Sequence, residues 1–286
     1  MDWSFFLKSL LLGIVQGLTE FLPVSSSGHL VIAEHLLGVN EPGVVMEVSL
    51  HLGTLVAVFI YFRHEIFSLI KSLLIWLGSL MGRRPNFSDD EYTRWRRDLA
   101  VVLGIILGSI PTGIIGVLGK KRFEELFDRV DAVGAFLIVT AILLTLGDWA
   151  ARRAAKSGIE GEFAPSWWKS ILIGIFQGVA IAPGISRSGA TVSGGLILGL
   201  EPVSAARFSF LLGIPAILGA AVLSVKDIES VPSSELAGYV GGALVAVAAG
   251  CLGIAVLIGT LRRGKLNWFA LYCFIAGIVT LLLSLR

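Results

Sequence analysis

Charge is scarce in this 286-residue chain: 15% of its residues are Asp, Glu, Lys or Arg and 55% are hydrophobic, with a mean hydropathy of +0.83. Such a composition excludes a soluble domain and points to a polytopic membrane protein. Cysteine is scarcer still. Cys251 and Cys273 lie inside apolar runs, away from any CxxC or Cys/His spacing, so they read as packing residues and reveal no compartment. The net charge of +2 is spread over short basic clusters between apolar stretches, which leaves no continuous basic face and no expectation of nucleic acid as a partner. The N-terminus lacks a basic region and a small-residue cleavage site before its first apolar run, and that run is expected to be retained.

What the chain has is long apolar runs. A bilayer-spanning helix needs about 20 such residues, and six runs qualify, at about 44–62, 99–119, 132–150, 203–225, 237–260 and 266–285. Two more, at about 4–38 and 167–200, are longer than one span but are broken by Pro23-Val24-Ser25-Ser26-Ser27-Gly28 and by Pro183-Gly184-Ile185-Ser186-Arg187-Ser188-Gly189. Proline removes a helix donor and glycine frees the backbone, so each stretch reads as two half-helices joined at membrane depth. Irregular backbone is tolerated there only where protein or a water-filled cavity surrounds it.

The two broken stretches are copies. KSLLLGIVQG (Lys8 to Gly17) matches KSILIGIFQG (Lys169 to Gly178) at seven of ten positions, and the offset of 161 pairs Ser25 with Ser186, Ser27 with Ser188 and Gly28 with Gly189. The likeness runs on through Leu37-Gly38 and Leu198-Gly199, then, after a one-residue slip, through Ser49, Leu52 and Gly53 against Ser209, Leu212 and Gly213. Each half holds one hairpin and three spans. Three is odd, so the halves must enter from opposite sides. The expected fold is therefore a single all-α polytopic membrane domain over 1–286, an inverted-topology repeat of six transmembrane helices plus two re-entrant helical hairpins. Repeat one covers about 1–155 and repeat two about 165–286.

Segments 63–98, 150–169 and 261–265 carry 7, 4 and 3 basic residues, against 4 at 120–130 and 1 at 226–235, which places the first three in the cytoplasm. An eight-span arrangement gives the same totals on each side, so this count does not separate the two. Gly82 to Asp98 reads as a solvated cytoplasmic loop with an interfacial tryptophan.

Gln16 and Glu20 share one helix face before the first break. A carboxylate at that depth costs about 2.5–3.5 kcal/mol to insert, which makes Glu20 a candidate for function, against a helix-end glutamate reaching interfacial water. Ser25, Ser26 and Ser27 can cap the second half-helix, with His29 one turn in. Capping needs one serine; three beside a histidine and a glutamate supply a nucleophile, a proton shuttle and a base or metal ligand. In the second break Gly184 and Gly189 allow close backbone approach, and the half-helix start favours an anion. Arg187 adds a planar fork of donors suited to phosphate oxygens, against a snorkelling arginine at a helix end. Gln16 and Gln177, the symmetric pair, are expected to bond loop backbone across the hairpin. Glu47 and Arg207 correspond across the halves and either pair or sit at the interface.

QGLTEFLPVSSSGH (Gln16 to His29) and PGISRSGAT (Pro183 to Thr191) resemble the two signature regions of the undecaprenyl-diphosphate phosphatases of the bacitracin-resistance type, and the resemblance covers essentially the whole chain. It implies hydrolysis of undecaprenyl diphosphate to undecaprenyl phosphate and inorganic phosphate, which recycles the lipid carrier for cell-wall synthesis. It also implies a divalent cation, Mg2+ or Ca2+, and a multi-pass place in the bacterial inner (plasma) membrane with the active site open to the periplasmic or outer face. Its expected catalytic residues are Glu20, Ser26, His29 and Arg187, with Glu20 also the metal ligand. Gln16, Ser25, Ser27, Gly184, Ser186, Ser188, Gly189 and Thr191 complete the substrate-binding set. Gln16 departs from the pattern, since many members carry a glutamate there, and this puts a two-carboxylate metal site in doubt. A homodimer is compatible with all of this.

The expected reaction has Ser26 attack the terminal phosphorus while His29 relays the proton and Arg187, loop amides and a cation neutralise charge on the transferred group. His29 as nucleophile and direct attack by water stay open. A polyprenyl-phosphate transporter or flippase is the rival from another class, because broken helices in inverted repeats are the usual build of carriers.

Overall fold

The computed structural model describes residues 2–39, 44–82, 86–127, 129–223 and 234–285; Arg83, Arg84 and Lys226, three of the loop cations counted above, fall outside them. The described chain is eleven helices. The first hairpin is α1 (Trp3–Phe21) and α2 (Ser26–Leu37), followed by α3 (Val44–Tyr61), α4 (Arg63–Leu80), α5 (Asp89–Phe127) and α6 (Val130–Lys156). The second is α7 (Trp167–Val179) and α8 (Arg187–Ile197), followed by α9 (Pro202–Leu223), α10 (Leu236–Arg262) and α11 (Asn267–Ser284).

Local chemistry sets the hairpin boundaries. Asp2 caps α1 by accepting the amides of Ser4 and Phe5 at 2.9 and 3.1 Å. Leu22, held extended by the proline that follows it, ends that helix. Each hairpin then leaves on a positive-φ glycine, Gly38 (φ 60°) and Gly199 (φ 89°), the aligned pair of the repeat. With 12 and 11 residues, α2 and α8 rise only about 18 and 16 Å, short of the roughly 30 Å of hydrocarbon. They are re-entrant.

The decapeptide repeat has a packing role that its sequence did not disclose. Ser9, Gly13 and Gly17 of α1 face Gly238, Gly242, Ala246 and Gly250 of α10, and their aligned residues Ser170, Gly174 and Gly178 of α7 face Gly104, Gly108 and Ile115 of α5. Lipid tails give helices no hydrophobic reason to associate, so close backbone approach through small residues is what holds these pairs. The opposite face of α1, with Leu7, Leu11 and Ile14, is exposed, as an apolar face against lipid would be.

The same contacts give direction. Ser9 meets Gly242 and Gly17 meets Gly250, so α1 and α10 run parallel. Gly250 touches Phe21 while Cys273 of α11 donates to the Pro23 carbonyl at 3.4 Å, so α11 turns back along α10. Gly134 of α6 lies against Leu281 and Ile138 against Gly277, which makes α6 antiparallel to α11. Val133 meets Gly184 and Gly147 meets Ser193, so α6 is parallel to α8 and opposed to α7. The chain of relations leaves α1 and α7 pointing in opposite directions, as the inverted repeat requires.

Two expectations change. Among the described residues six helices are long and apolar enough to span, but they are α1, α5, α6, α9, α10 and α11; α3 passes only together with α4, from which it is bent by 81°. The stretch read as loop between 63 and 98 is mostly helix, α4 and the start of α5. Its charges mislead because they line the outer faces of helices that pack on each other: Ser68 donates to Asp98 at 2.5 Å and the Trp95 indole donates to the Ser72 carbonyl at 3.1 Å, clamping α4 onto α5, while Arg63, Lys71, Arg94, Arg96 and Arg97 are exposed.

Candidate functional site

The two hairpin tips meet. Ser188 donates to the Leu22 carbonyl at 3.2 Å, Gly189 packs against Pro23, and the Arg187 guanidinium clasps Glu20 Oε1 in an ion pair between the repeats. The other carboxylate oxygen, Oε2, accepts the Ser26 hydroxyl at 2.7 Å and the Gln16 amide at 2.8 Å, with His51 Nε2 3.5 Å away. The Glu20 side chain is 3% exposed and that of Arg187 25%, so each is the other's charge compensation.

The loops differ where their sequences agree. Ser186, with φ −72°, caps α8 by accepting the Gly189 amide at 3.1 Å. Its own amide donates to Thr140, which in turn donates to the Gly184 carbonyl, each at 3.0 Å. Ser25, its counterpart, sits at φ 69° and makes no side-chain cap. The expected capping by the first serine cluster is therefore corrected: the Ser25 hydroxyl lies 3.4 Å from that of Ser27, and Ser26 turns to Glu20. Among the described residues the amides of Ser26, Ser27 and Gly28, and those of Arg187 and Ser188, have no hydrogen-bond partner. Two helix N-termini thus bring unsatisfied donors to one place beside an arginine, which suits an anion.

His29 lies in the first loop's helix but not against Ser26. Its Nδ1 donates to the Ser25 carbonyl at 2.8 Å, and its Nε2 lies 2.5 Å from the Tyr272 hydroxyl of α11. Thr191 bonds the Arg187 carbonyl at 2.8 Å and Ser209 at 2.5 Å, tying α8 to α9 at the arginine. Among the described residues neither glutamine bonds loop backbone. Gln16 serves Glu20, and Gln177 donates to Thr112 and to the Leu212 carbonyl at 3.2 and 3.3 Å. Arg207 pairs with Glu65 at 3.9 Å and not with Glu47.

His51, Tyr272 and Thr140 escaped the sequence reading. His51 had one available signal, a lone imidazole in an apolar span; the other two had none.

Among the described residues no three His, Cys, Asp or Glu side chains cluster as a metal cage would. An oxygen-bound cation nonetheless fits beside Glu20, because Gln16 Oε1 is buried with no hydrogen-bond partner. A cavity of about 200 Å3 lies elsewhere, between Tyr61, Glu65, Arg207 and Arg262. Phe21, Phe62 and Phe210, with ring centroids 5.2 and 6.0 Å apart, lie between that region and the hairpin tips.

These features define a class: multi-pass helical membrane proteins in which two inverted hairpins meet tip to tip around a buried ion pair. Residues 9–279 match the family described as bacitracin resistance protein BacA, and the chain belongs to that family. It is 45% identical over 280 residues to an undecaprenyl-diphosphatase of Desulfosudis oleivorans, covering 98% of this chain and 99% of the relative. Proteins of the same name from Alkaliphilus metalliredigens and Methanosphaera stadtmanae are 40% and 41% identical over 281 residues, each covering 97% of this chain and 98% of the relative.

Proposed function

We infer that this chain hydrolyses undecaprenyl diphosphate to undecaprenyl phosphate and inorganic phosphate, recycling the lipid carrier. Family membership over nearly the whole length supports the hydrolytic reading over the carrier. The observation that carries its assignment to residues is one contact set: a serine hydroxyl bonded to a buried carboxylate whose other oxygen is held by an arginine from the opposite hairpin.

In this reading the diphosphate enters between the hairpin tips and draws Arg187 away from Glu20. The arginine and the open amides of α2 and α8 neutralise charge on the transferred phosphoryl group, usually the largest catalytic contribution in such reactions. Ser26 attacks the terminal phosphorus, Glu20 accepts its proton, and undecaprenyl phosphate leaves; water then cleaves the phosphoseryl bond. The Tyr272 hydroxyl occupies His29 Nε2, which favours Ser26 over His29 as nucleophile. Glu20, Gln16 Oε1 and Ser26 would hold a Mg2+ or Ca2+ ion, which when bound adds positive charge beside the phosphates. We place the protein in the plasma membrane on its family membership, and the basic-loop bias supports a site that opens to the outer face.

The test is phosphate release from undecaprenyl diphosphate by the purified protein. We expect release in the parent with Mg2+ or Ca2+, its loss on chelation, and a fall of about 10²–10⁴-fold in Ser26→Ala and Glu20→Gln. An inactive parent rules out the reaction, and parent-like turnover in Ser26→Ala removes that serine as nucleophile.

A further inference from the structure

Ser25 is the one non-glycine residue with positive φ among the described residues, at φ 69°. A side chain disfavours that backbone, so something must hold it. The aligned Ser186 shows what the relaxed loop does: at φ −72° its hydroxyl turns inward and caps its own helix. At Ser25 the flipped backbone leaves α2 uncapped and points the next residue, Ser26, at Glu20.

The restraint comes from α11. The Ser25 carbonyl accepts both the His29 amide at 3.3 Å and His29 Nδ1 at 2.8 Å. A carbonyl can only accept, so a ring hydrogen lies on Nδ1; with the ring neutral, Nε2 is the acceptor for the Tyr272 hydroxyl 2.5 Å away. The two rings also stack, with centroids 5.6 Å apart and planes 21° from parallel. In the second loop, where no strain needs holding, the residue aligned with His29 is Ala190. The imidazole is present only where the backbone is bent.

We propose that Tyr272 is a positioning residue for the reaction: acting through His29, it holds Ser25 in the positive-φ state that keeps the N-terminus of α2 open and Ser26 aimed at Glu20. This rests on the reading of Ser26 as nucleophile. It makes the contribution of His29 in the first step geometric, a strut between α11 and the loop.

Tyr272→Phe removes the hydroxyl and keeps the ring. Reactive groups displaced by an ångström lose about 10²-fold in rate, so kcat for phosphate release is expected to fall by about 10- to 100-fold with KM little changed. Glycine adopts positive φ without strain. The same Tyr272→Phe substitution on a Ser25→Gly background is therefore expected to cost much less, with the ratio of rates moving toward one. Ser25→Asn, which also tolerates positive φ, is a second background should Ser25→Gly prove inactive. Parent-like kcat in Tyr272→Phe overturns the proposal, as do equal losses on all backgrounds, because the hydroxyl would then act by another route. Ser26→Ala measured alongside separates the two levels: if it keeps parent turnover, the nucleophile reading fails; if it is inactive while Tyr272→Phe is not, the strut alone fails.

Discussion

Glu20 holds the tips of the two repeats together, and the cost of disturbing it should show in stability as well as rate. Removing one partner of a buried ion pair leaves an uncompensated charge worth about 3–5 kcal/mol. Because Arg187 is that partner, its loss reaches the fold as well as the reaction. Arg187→Ala should lower both turnover and the unfolding midpoint in detergent, and Glu20→Gln combined with Arg187→Ala should restore much of the midpoint and none of the turnover. Were the single variant as stable as the parent, the pair would not bear on the fold. At this scale Glu20 and Arg187 stood out in the sequence, because an ionisable group in an apolar run has few structural reasons to be there, and Ser26 stood out as one of three serines where a cap needs one. His51 was missed for lack of company, although it lies 3.5 Å from Glu20. Tyr272 was invisible, since nothing within α11 distinguishes it from an interfacial aromatic.

Helices α1 and α10 touch through backbone, and the tolerance of α10 should follow that contact. A Cβ added at Gly242 would stand 2.8 Å from the Ser9 carbonyl oxygen, whereas one at Gly259 would meet nothing within 4 Å. Gly242→Ala is expected to lower stability by about 1–3 kcal/mol through overpacking. Gly259→Ala should be neutral or gain up to about 1 kcal/mol from helix propensity. Thermal unfolding of the two variants compares them directly, and equal midpoints would contradict the packing described. Element boundaries were readable where proline, glycine or serine punctuates the chain, as at Leu22, Gly38 and Ser186. Helix α4 was not, because Arg63, His64, Glu65 and Lys71 make its sequence look like a loop. Its bonds to Asp98 and Trp95 lie more than twenty residues away in sequence, beyond any local pattern.

The whole molecule is an inverted pair, and the inversion can be read by labelling. On a background lacking Cys251 and Cys273, Leu36→Cys at the mouth of the first hairpin should react with an impermeant thiol reagent from the outer face. Lys156→Cys, before the second hairpin, should react from the cytoplasmic face; labelling of both from one face would break the inverted topology. The repeat itself, its two breaks and the membrane setting follow from sequence, because hydrocarbon punishes polar groups and broken helices wherever they fall and leaves few ways to accommodate them. The partners inside the site were decided only by the tertiary structure. Whether a serine caps its own helix or turns to a carboxylate depends on a backbone flip held from α11, and Glu20 meets Arg187 across 167 positions because two opposed hairpins end at the same depth. Contacts of that kind depend on how separate helices pack, which no local stretch of residues encodes.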